Sequence, residues 1–329
     1  DIFISNDFFE KDYLYINNKD KTFTESSDSY FKSMSLGSMG ADSADLNNDL
    51  LTDLFVTEML PKTFDRKKTK AVYDSWDKHA LAVSKGYHYQ YPRNVLQRNM
   101  GDNDFFEIGR FSNLSASEWS WASLIFDMNN DGFKDIIISN GIYKDLLDRD
   151  YLNYISDQQL VSNLIKTKKD GIKKLIDLMP SDPVKNQVYL NKENFLFEEV
   201  TDKIGFSMKT FSNGLAYSDL NNDGSLDIIV NNVNMPAMIY QNNYQSNNSI
   251  QFLLKYDGNN IDGIGSKIIL KLDNGKKSML EHFPSRGFQS SISNKLHFGI
   301  GNSIEVDSVF VIWPNKKISV FKDLKANEV

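Results

Sequence analysis

Three segments of the chain carry acidic and amide side chains at the same four positions of a nine-residue motif. They read DLNNDLLTD at 45–53, DMNNDGFKD at 127–135 and DLNNDGSLD at 219–227, and each runs directly into an apolar stretch rich in β-branched residues. Positions one, three, five and nine are Asp, Asn, Asp and Asp in every copy. Side-chain oxygens at this spacing can wrap one hard cation in a short loop.

Calcium is the cation that this donor set favours. It takes about six to eight oxygen ligands in tolerant geometry, whereas magnesium demands a strict octahedron and releases its water reluctantly. Gly132 and Gly224 at position six suit a sharp turn, and Leu50 replaces this glycine in the first motif. We therefore predict two to three calcium sites, with the main-chain carbonyl of position seven as a further ligand. The predicted ligands are Asp127, Asn129, Asp131, Phe133 and Asp135; Asp219, Asn221, Asp223, Ser225 and Asp227; and, in the first motif, Asp45, Asn47, Asp49, Leu51 and Asp53.

Two other interpretations of the motif compete with a strand-borne calcium loop. An EF-hand begins in the same way, but it requires a Glu at position twelve and a helix on each side. Position twelve is Val56, Ile138 and Val230 here, within stretches typical of strands. Asn-Asn-Asp-Gly is also good turn chemistry without any metal. The recurrence of all four oxygen-bearing positions favours metal binding over the turn alone.

The composition excludes several classes of protein. The absence of cysteine excludes disulfides, zinc thiolate sites and a thiol nucleophile. A formal net charge of −7 argues against a nucleic-acid surface. No stretch approaches the roughly 18 apolar residues of a membrane span. Loops of this kind fill more readily where free calcium is plentiful, so we expect an extracellular or cell-surface location.

The motifs belong to a larger repeated unit. Aromatic strand pairs at 13–26, 95–109 and 188–202 are each followed by a glycine- or serine-rich strand, the motif and an apolar strand. Four short antiparallel strands are the content of a β-propeller blade. DIFISND at 1–7 matches the end of the motif, so Asp1 resembles the ninth position of a further loop. We therefore expect the chain to be part of a longer polypeptide or of a multi-protein assembly.

The spacing of the motifs predicts insertions and a second domain. The distance between motifs exceeds the roughly 40 to 50 residues of a blade, which predicts insertions at about 60–93 and 142–186. Helical spacing within 160–179, with Ser156 and Gln159 as a capping box, predicts helices in the second insertion. From residue 246 the pattern alternates with period two. We predict a partial propeller at 1–245 and a separate all-β domain at 246–329.

The units resemble FG-GAP/VCBS repeats, the calcium-loop blades of integrin-α-like propellers. The segments DGIGSKIILK, SRGFQSS, KLHFGIGN and VDSVFVIWPN resemble the ASPIC/UnbV domain that follows such propellers, and GYHYQYPRNVLQRN resembles surface proteins of Bacteroidetes. The resemblance implies an all-β fold, in which propeller blades with calcium loops and helical insertions precede a small sandwich-like domain. It also implies a non-catalytic module for adhesion or for binding a protein or glycan, associated with the outer membrane of a Gram-negative bacterium.

A catalytic role is the alternative. No catalytic residue is predicted, since the four histidines pair with no nucleophile and no G-x-S-x-G or H-E-x-x-H motif occurs. A polysaccharide lyase would need an openly coordinated calcium beside Arg93, Arg98 or His88, where the ion acidifies a uronic acid and a base takes the proton. Trp119 and Trp121 alternate on one strand and are expected to fill the space between blades; stacking on sugar rings is the other possibility.

Overall fold

The computed structural model describes residues 1–7, 10–71, 75–167, 170–256 and 258–329. It is all-β, as predicted, and most of the described strands belong to small antiparallel sheets. Four of these sheets follow one another along the chain as successive propeller blades. The first blade consists of β1 (Ile2–Ile4), β2 (Tyr13–Asn17) and β3 (Phe23–Glu25), and is followed by α1 (Ser27–Tyr30) and β4 (Met34–Ser35).

The second and third blades each have four strands interrupted by an insertion. The second blade begins with β5 (Ala41–Ala44) and β6 (Asp53–Val56), passes through α2 (Phe64–Lys70), α3 (Trp76–Ser84) and β7 (Gln90–Tyr91), and ends with β8 (Val95–Asn99) and β9 (Phe105–Glu107). The third begins with β10 (Ser120–Phe126) and β11 (Asp135–Asn140), passes through α4 (Arg149–Ser156), α5 (Gln158–Thr167), α6 (Gly171–Asp177) and β12 (Val184–Lys185), and ends with β13 (Gln187–Asn191) and β14 (Phe197–Glu199).

The last blade leads into the C-terminal domain. After β15 (Lys209–Thr210), the fourth blade consists of β16 (Ser212–Ser218), β17 (Asp227–Asn232) and β18 (Met238–Tyr240). The strands of the C-terminal domain are β19 (Asn248–Leu253), β20 (Lys267–Lys271), β21 (Lys277–Glu281), β22 (Lys295–Gly301), β23 (Glu305–Ile312) and β24 (Ile318–Lys325). The pair β19-β22 packs against the sheet β21-β20-β23-β24 around a shared apolar core, which gives a sandwich-like domain.

The repeated sequence unit and the blade are offset by two strands. The aromatic pair β8 and β9 precedes β10 and the second motif in sequence, but β8 pairs with β6, which follows the first motif. Leu54 of β6 lies opposite Gln97 of β8. A sequence unit therefore supplies the last two strands of one blade and the first two strands of the next. This connectivity links neighbouring blades covalently at every repeat.

Apolar side chains fill the space between blades. All six residues of β11 are buried because the strand is covered on both faces. Ile136 and Ile138 pack with Phe55 of the second blade, whereas Ile137 packs with Leu215 of the fourth. Burial of each such side chain contributes about 1.5 to 3 kcal/mol. Hence the strands after the motifs are continuously apolar and do not alternate.

The insertions carry the helices of the second and third blades. They join the second strand of a blade to its third, so they lie at the end of the blade opposite the nine-residue loops. The capping residue of α5 differs from our prediction. The side chain of Asp157 accepts the N–H groups of Gln159 and Leu160 at 3.0 Å, whereas the hydroxyl of Ser156 donates back to Asn153. Asp157 has this role because it directly precedes the helix.

The two tryptophans lie together, but one of them contacts the C-terminal domain. Their ring centroids are 6.3 Å apart. Trp121 donates its indole N–H to the carbonyl of Gly141 at 2.7 Å, and its ring lies 5.1 Å from that of Phe288. Trp121 therefore also packs against the C-terminal domain, a contact that the expectation for the two rings did not include.

Candidate metal centres

The three nine-residue loops lie at the same end of the blades. Each loop joins the first strand of its blade to the second: β5 to β6, β10 to β11 and β16 to β17. The first strands pack against one another, so the loops are neighbours. We call this end of the blades, with the loops at 45–53, 127–135 and 219–227, the loop end.

Five hydrogen bonds recur in all three loops. The backbone N–H groups of positions five and six donate to the two carboxylate oxygens of position one, and the N–H of position seven donates to the carboxylate of position five. The N–H of position two donates to the carboxylate of position nine, and the side-chain amide of position three donates to position five. All fifteen distances lie between 2.7 and 3.1 Å. The scaffold therefore brings the predicted ligands of each loop into one turn.

The first loop has this scaffold in spite of its missing glycine. Position six has a φ of 69° at Leu50, compared with 93° at Gly132 and 85° at Gly224. The left-handed conformation is strained for leucine and easy for glycine. The network of the loop therefore holds Leu50 in a conformation that it would not adopt by itself.

The carboxylates at position nine are also bonded to the next strand of the blade. One oxygen of Asp53, Asp135 and Asp227 accepts the backbone N–H of an asparagine, at 2.9, 2.9 and 2.8 Å. These asparagines, at or just after the end of the third strand, are Asn99, Asn191 and Asn242. Each caps its own turn by accepting the N–H two residues later. Both oxygens of the ninth carboxylate thus accept one backbone N–H, and each keeps a second acceptor direction.

Sequence reasoning missed these asparagines. The available signal was that an Asn recurs near the end of the third strand of each of these blades, just before a turn. Asn17 in the first blade behaves in the same way, since its N–H donates to Asp1 at 2.9 Å and its side chain accepts the N–H of Lys19 at 2.8 Å. Asp1 therefore has the structural position of a ninth residue.

Position four links one loop to the next. Asn48 donates its side-chain amide to the carbonyl of Gly132, and Asn130 donates to the carbonyl of Gly224, both at 3.0 Å. Asn48, Asn130 and Asn222 all have φ near 60°, at 61°, 57° and 57°. Asparagine tolerates this conformation and has an amide to donate. The loops consequently form a hydrogen-bonded series.

The carboxylates of the first two loops are costly to ionise without a counter-charge. Burial, and then the charge of Asp131, raises the pKa of Asp127 to about 7. Burial, and then the charge of Asp127, raises the pKa of Asp135 well above its ordinary value. Burial also raises the pKa of Asp53 to about 7. Buried carboxylates need a paired cation or a metal.

Lys134 supplies part of this positive charge. Its ammonium is buried and donates to the side chains of Asn48 at 3.1 Å and Ser278 at 3.0 Å. Burial lowers the pKa of Lys134, while the charges of Asp45 and Asp127 raise it. The lysine, at position eight of the second loop, therefore links this loop to the first loop and to the C-terminal domain.

The donor set fits a hard cation only if amide and carbonyl oxygens take part. Within the described residues, acidic and histidine side chains alone form no metal-binding group of three or more. Each loop adds an Asn at position three and a main-chain carbonyl at position seven, at Leu51, Phe133 and Ser225, which are ligands that calcium accepts. Which residues ligate a cation therefore stays a prediction for all three loops.

The residues considered for a lyase site have other partners. Arg93 donates to Glu107 at 2.7 Å, and His88 lies 2.9 Å from the carbonyl of Phe31. The guanidinium of Arg98 lies 5.0 Å from the ring centroid of Phe195. These contacts are with strands and turns of the blades.

Comparison with known families gives two matches. Residues 1–56 match the family described as FG-GAP-like repeat, and residues 256–329 match the family described as ASPIC and UnbV. No curated protein matches the chain. In the described part of the chain, no helix is long and apolar enough to cross a membrane. Both families are typical of extracellular or cell-surface proteins, and the chain has the architecture of FG-GAP-like repeats followed by an ASPIC and UnbV domain.

Proposed function

We propose that the chain is a non-catalytic, calcium-binding module that presents a stiff surface to a protein or glycan outside the cell. The observation that carries this proposal is the scaffold of five hydrogen bonds, which is repeated in all three loops and in the first two surrounds carboxylates that are costly to bury as anions. A divalent cation in each loop would neutralise these carboxylates. The residues that would hold it are those at positions one, three, five, seven and nine.

Calcium has a structural role in this proposal. The ligands of a loop come from the turn between the first two strands, and the ninth carboxylate also bonds the third strand through Asn99, Asn191 or Asn242. A cation would therefore fasten three strands of one blade together. The first loop supports a third site because its scaffold equals that of the others, although Lys134 already contributes a positive charge beside it.

The contacts of the loop end support a module without catalytic activity. A lyase requires a calcium ion that is open to substrate and adjacent to a base. Here the C-terminal domain contacts all three loops, through Glu281, His297 and Lys295 among others. Arg93, Arg98 and His88 have the partners described above. A surface location in a Gram-negative bacterium, at the outer membrane, is part of the proposal and rests on the family resemblance.

Calcium titration of protein stripped with a chelator tests this function. We expect heat of binding from two to three sites in isothermal titration calorimetry. Asp131→Asn and Asp223→Asn keep the acceptor for the N–H of position seven but remove one negative charge, so each should weaken its own site at least tenfold, about 1.4 kcal/mol. Asp177→Asn, at an exposed position of α6 at the opposite end of the blades, is the matched control. An absence of calcium binding by the unaltered chain would refute the proposal.

A further inference from the structure

The C-terminal domain lies directly on the loop end. Asn247 donates to the carbonyl of Asn129 at 2.9 Å, and Ser249 donates to the carbonyl of Gly224 at 3.0 Å. Lys295 donates to the side chain of Asn222 at 3.2 Å. The domain thus contacts residues within the second and third loops.

Arg286 inserts between the first strands of three blades. Its side chain is largely buried, and the guanidinium forms a bidentate pair with Asp42, at 2.8 and 2.7 Å. Its other acceptors are the carbonyl of Ser43, the carbonyl of Ile125 and the hydroxyl of Tyr217, at 3.2 to 3.3 Å. These three residues each stand two positions before the first aspartate of a loop. One side chain of the C-terminal domain is therefore bonded next to the start of every loop.

The segment after Arg286 continues along β10. A Cβ on Gly287 would lie 3.3 Å from the carbonyl oxygen of Ser123, and Phe288 reaches the ring of Trp121. Ser290 lies close to Gly214 of β16: a Cβ on Gly214 would be 2.7 Å from the hydroxyl oxygen of Ser290. The C-terminal domain is consequently anchored along the inner strands of the third and fourth blades as well as on the loops.

Two facing residues of β19 and β22 connect the third loop to the second. Gln251 lies opposite His297. The amide of Gln251 donates to Asp219 at 2.9 Å and lies 3.3 Å from Nδ1 of His297, whose Nε2 lies 2.6 Å from the side-chain oxygen of Asn130. Burial lowers the pKa of His297 to about 4, so the ring is neutral and can accept at Nδ1 while it donates from Nε2. Asn130 in turn donates to the carbonyl of Gly224, so the hydrogen bonds that start at Asp219 of the third loop return to the third loop.

Gly299 shows how closely the domain approaches the second loop. A Cβ at this position would lie 2.1 Å from Oδ2 of Asp127 and 2.4 Å from Cα of Asn130. The neighbouring Gly301 donates its N–H to the carbonyl of Asn130 at 2.8 Å. Only a residue without a side chain permits this contact with the first aspartate of the loop.

We propose that docking of the C-terminal domain and cation binding by the second and third loops are thermodynamically linked, with Gln251 positioning the carboxylate of Asp219. The inference rests on the proposed function, because it assumes that calcium occupies these loops. Docking fixes the side chain of Asp219 and the backbone around Asn130 before the ion arrives, so less conformational freedom is lost on binding. Linkage then requires calcium to stabilise docking by the same factor by which docking raises the affinity for calcium.

The variant Gln251→Met tests this link, since it keeps the length of the side chain and removes its N–H donor. Calcium is titrated into the full chain while the amide resonances of Gly224 and Gly132 report separately on the third and second loops. We expect the dissociation constant of the third loop to rise at least fivefold, with a smaller rise in the second loop. Gln245→Met, at an exposed position before β19, is the matched control and should leave both constants unchanged.

Hydrogen exchange measures the effect of calcium on docking of the C-terminal domain. In the unaltered chain, amides of β19 and β22 should exchange at least fivefold more slowly with calcium than with chelator, and this protection should shrink in Gln251→Met. Equal affinities in Gln251→Met and the unaltered chain, together with exchange that calcium does not alter, would overturn the link but leave the proposed function intact. Failure of the unaltered chain to bind calcium at all would overturn both.

Discussion

The two ends of the blades differ in how their polar groups are used. At the loop end, carboxylates, amides and one buried ammonium are joined in a network that the C-terminal domain covers. At the opposite end, the insertion of the second blade borders a groove of about 850 Å³ lined mostly by apolar and aromatic side chains, among them Trp76, Leu81 and Tyr87. Trp76 is 77% exposed. Glu58 at the same groove is buried, and its Oε2 has no hydrogen-bond partner among the described residues.

The two ends should therefore differ in how well they tolerate substitution. Groups at the loop end contact three blades and a second domain, so a change there is felt across the molecule. The insertions of the second and third blades contact each other through Lys70, which pairs with Asp145 and Asp148, and their helices have large exposed apolar residues. We therefore expect substitutions at the loop end to cost much more free energy of unfolding than substitutions of the exposed insertion residues.

The largest expected effect comes from Arg286. Replacement by Met leaves the buried carboxylate of Asp42 without its partner, and breaking a buried pair in this way costs about 3 to 5 kcal/mol. We expect the free energy of unfolding in urea to fall by that amount. In the double variant Arg286→Met/Asp42→Asn no buried charge is left, so part of the loss should be recovered. A single variant within about 1 kcal/mol of the unaltered chain would contradict the anchoring role, on the scale of ordinary surface substitutions.

Glu58, at the groove of the opposite end, should make the stability depend on pH. Burial raises the pKa of Glu58 from 4.5 to about 8. Between these values the folded state keeps the proton that the unfolded state releases, so the stability that Glu58 contributes is highest at low pH and falls as the pH rises toward 8. Glu58→Gln should remove this part of the pH dependence and raise the stability at pH 7 by about 2 to 4 kcal/mol. The measurement is urea unfolding at several pH values; parallel curves for the variant and the unaltered chain would refute it.

A smaller effect is expected from the one irregular loop. Leu50→Gly relieves the left-handed strain but increases the freedom of the unfolded chain, so the net gain in stability should be about 0.5 to 1 kcal/mol. Gly224→Ala makes the opposite change at the same position of the third loop, and should destabilise by about 1 kcal/mol. Thermal unfolding in chelator measures both without a contribution from bound ions. If Leu50→Gly destabilised the chain, the packing of the leucine side chain would stabilise the folded state by more free energy than its backbone strain costs.

The smallest effect is expected from Trp76. Its indole ring is mostly solvent-exposed, so Trp76→Ala should change the free energy of unfolding by less than about 0.5 kcal/mol. Trp121→Ala is the matched comparison, because this ring is bonded to Gly141 and packs on Phe288. Equal losses for the two tryptophans would contradict the difference between exposed insertion residues and residues that contact the C-terminal domain.

Local sequence patterns predicted much of the fold. The strands after the motifs, the helices in the insertions and the alternating strands after residue 246 all follow from hydrophobic period and turn chemistry. The offset between the repeated unit and the blade did not follow from these patterns. β8 lies between β6 and β10 in the chain, both of these strands are apolar, and local sequence does not say which of them pairs with β8. The cap of α5 was misplaced by one residue because Ser156 and Asp157 are both good capping residues.

The loop positions were visible in the sequence, but their connections were not. Repetition alone indicated the oxygen-bearing positions of the loops. The bonds of Asn191 to Asp135 and of Gln251 to Asp219 join residues 56 and 32 positions apart, across strands whose register no local pattern fixes. Arg286 lies 244 positions from Asp42. The role of the C-terminal domain at the loop end therefore required the structure.

The most direct test is a crystal structure of the chain grown with calcium, with anomalous data to identify the ion. The account predicts anomalous density in the second and third loops, about 2.3 to 2.6 Å from side-chain oxygens of Asp127 and Asp131 and of Asp219 and Asp223. It also predicts that Gln251 still contacts Asp219. Loops that keep the same hydrogen bonds without any anomalous peak, at a calcium concentration that fills weak extracellular sites, would contradict it.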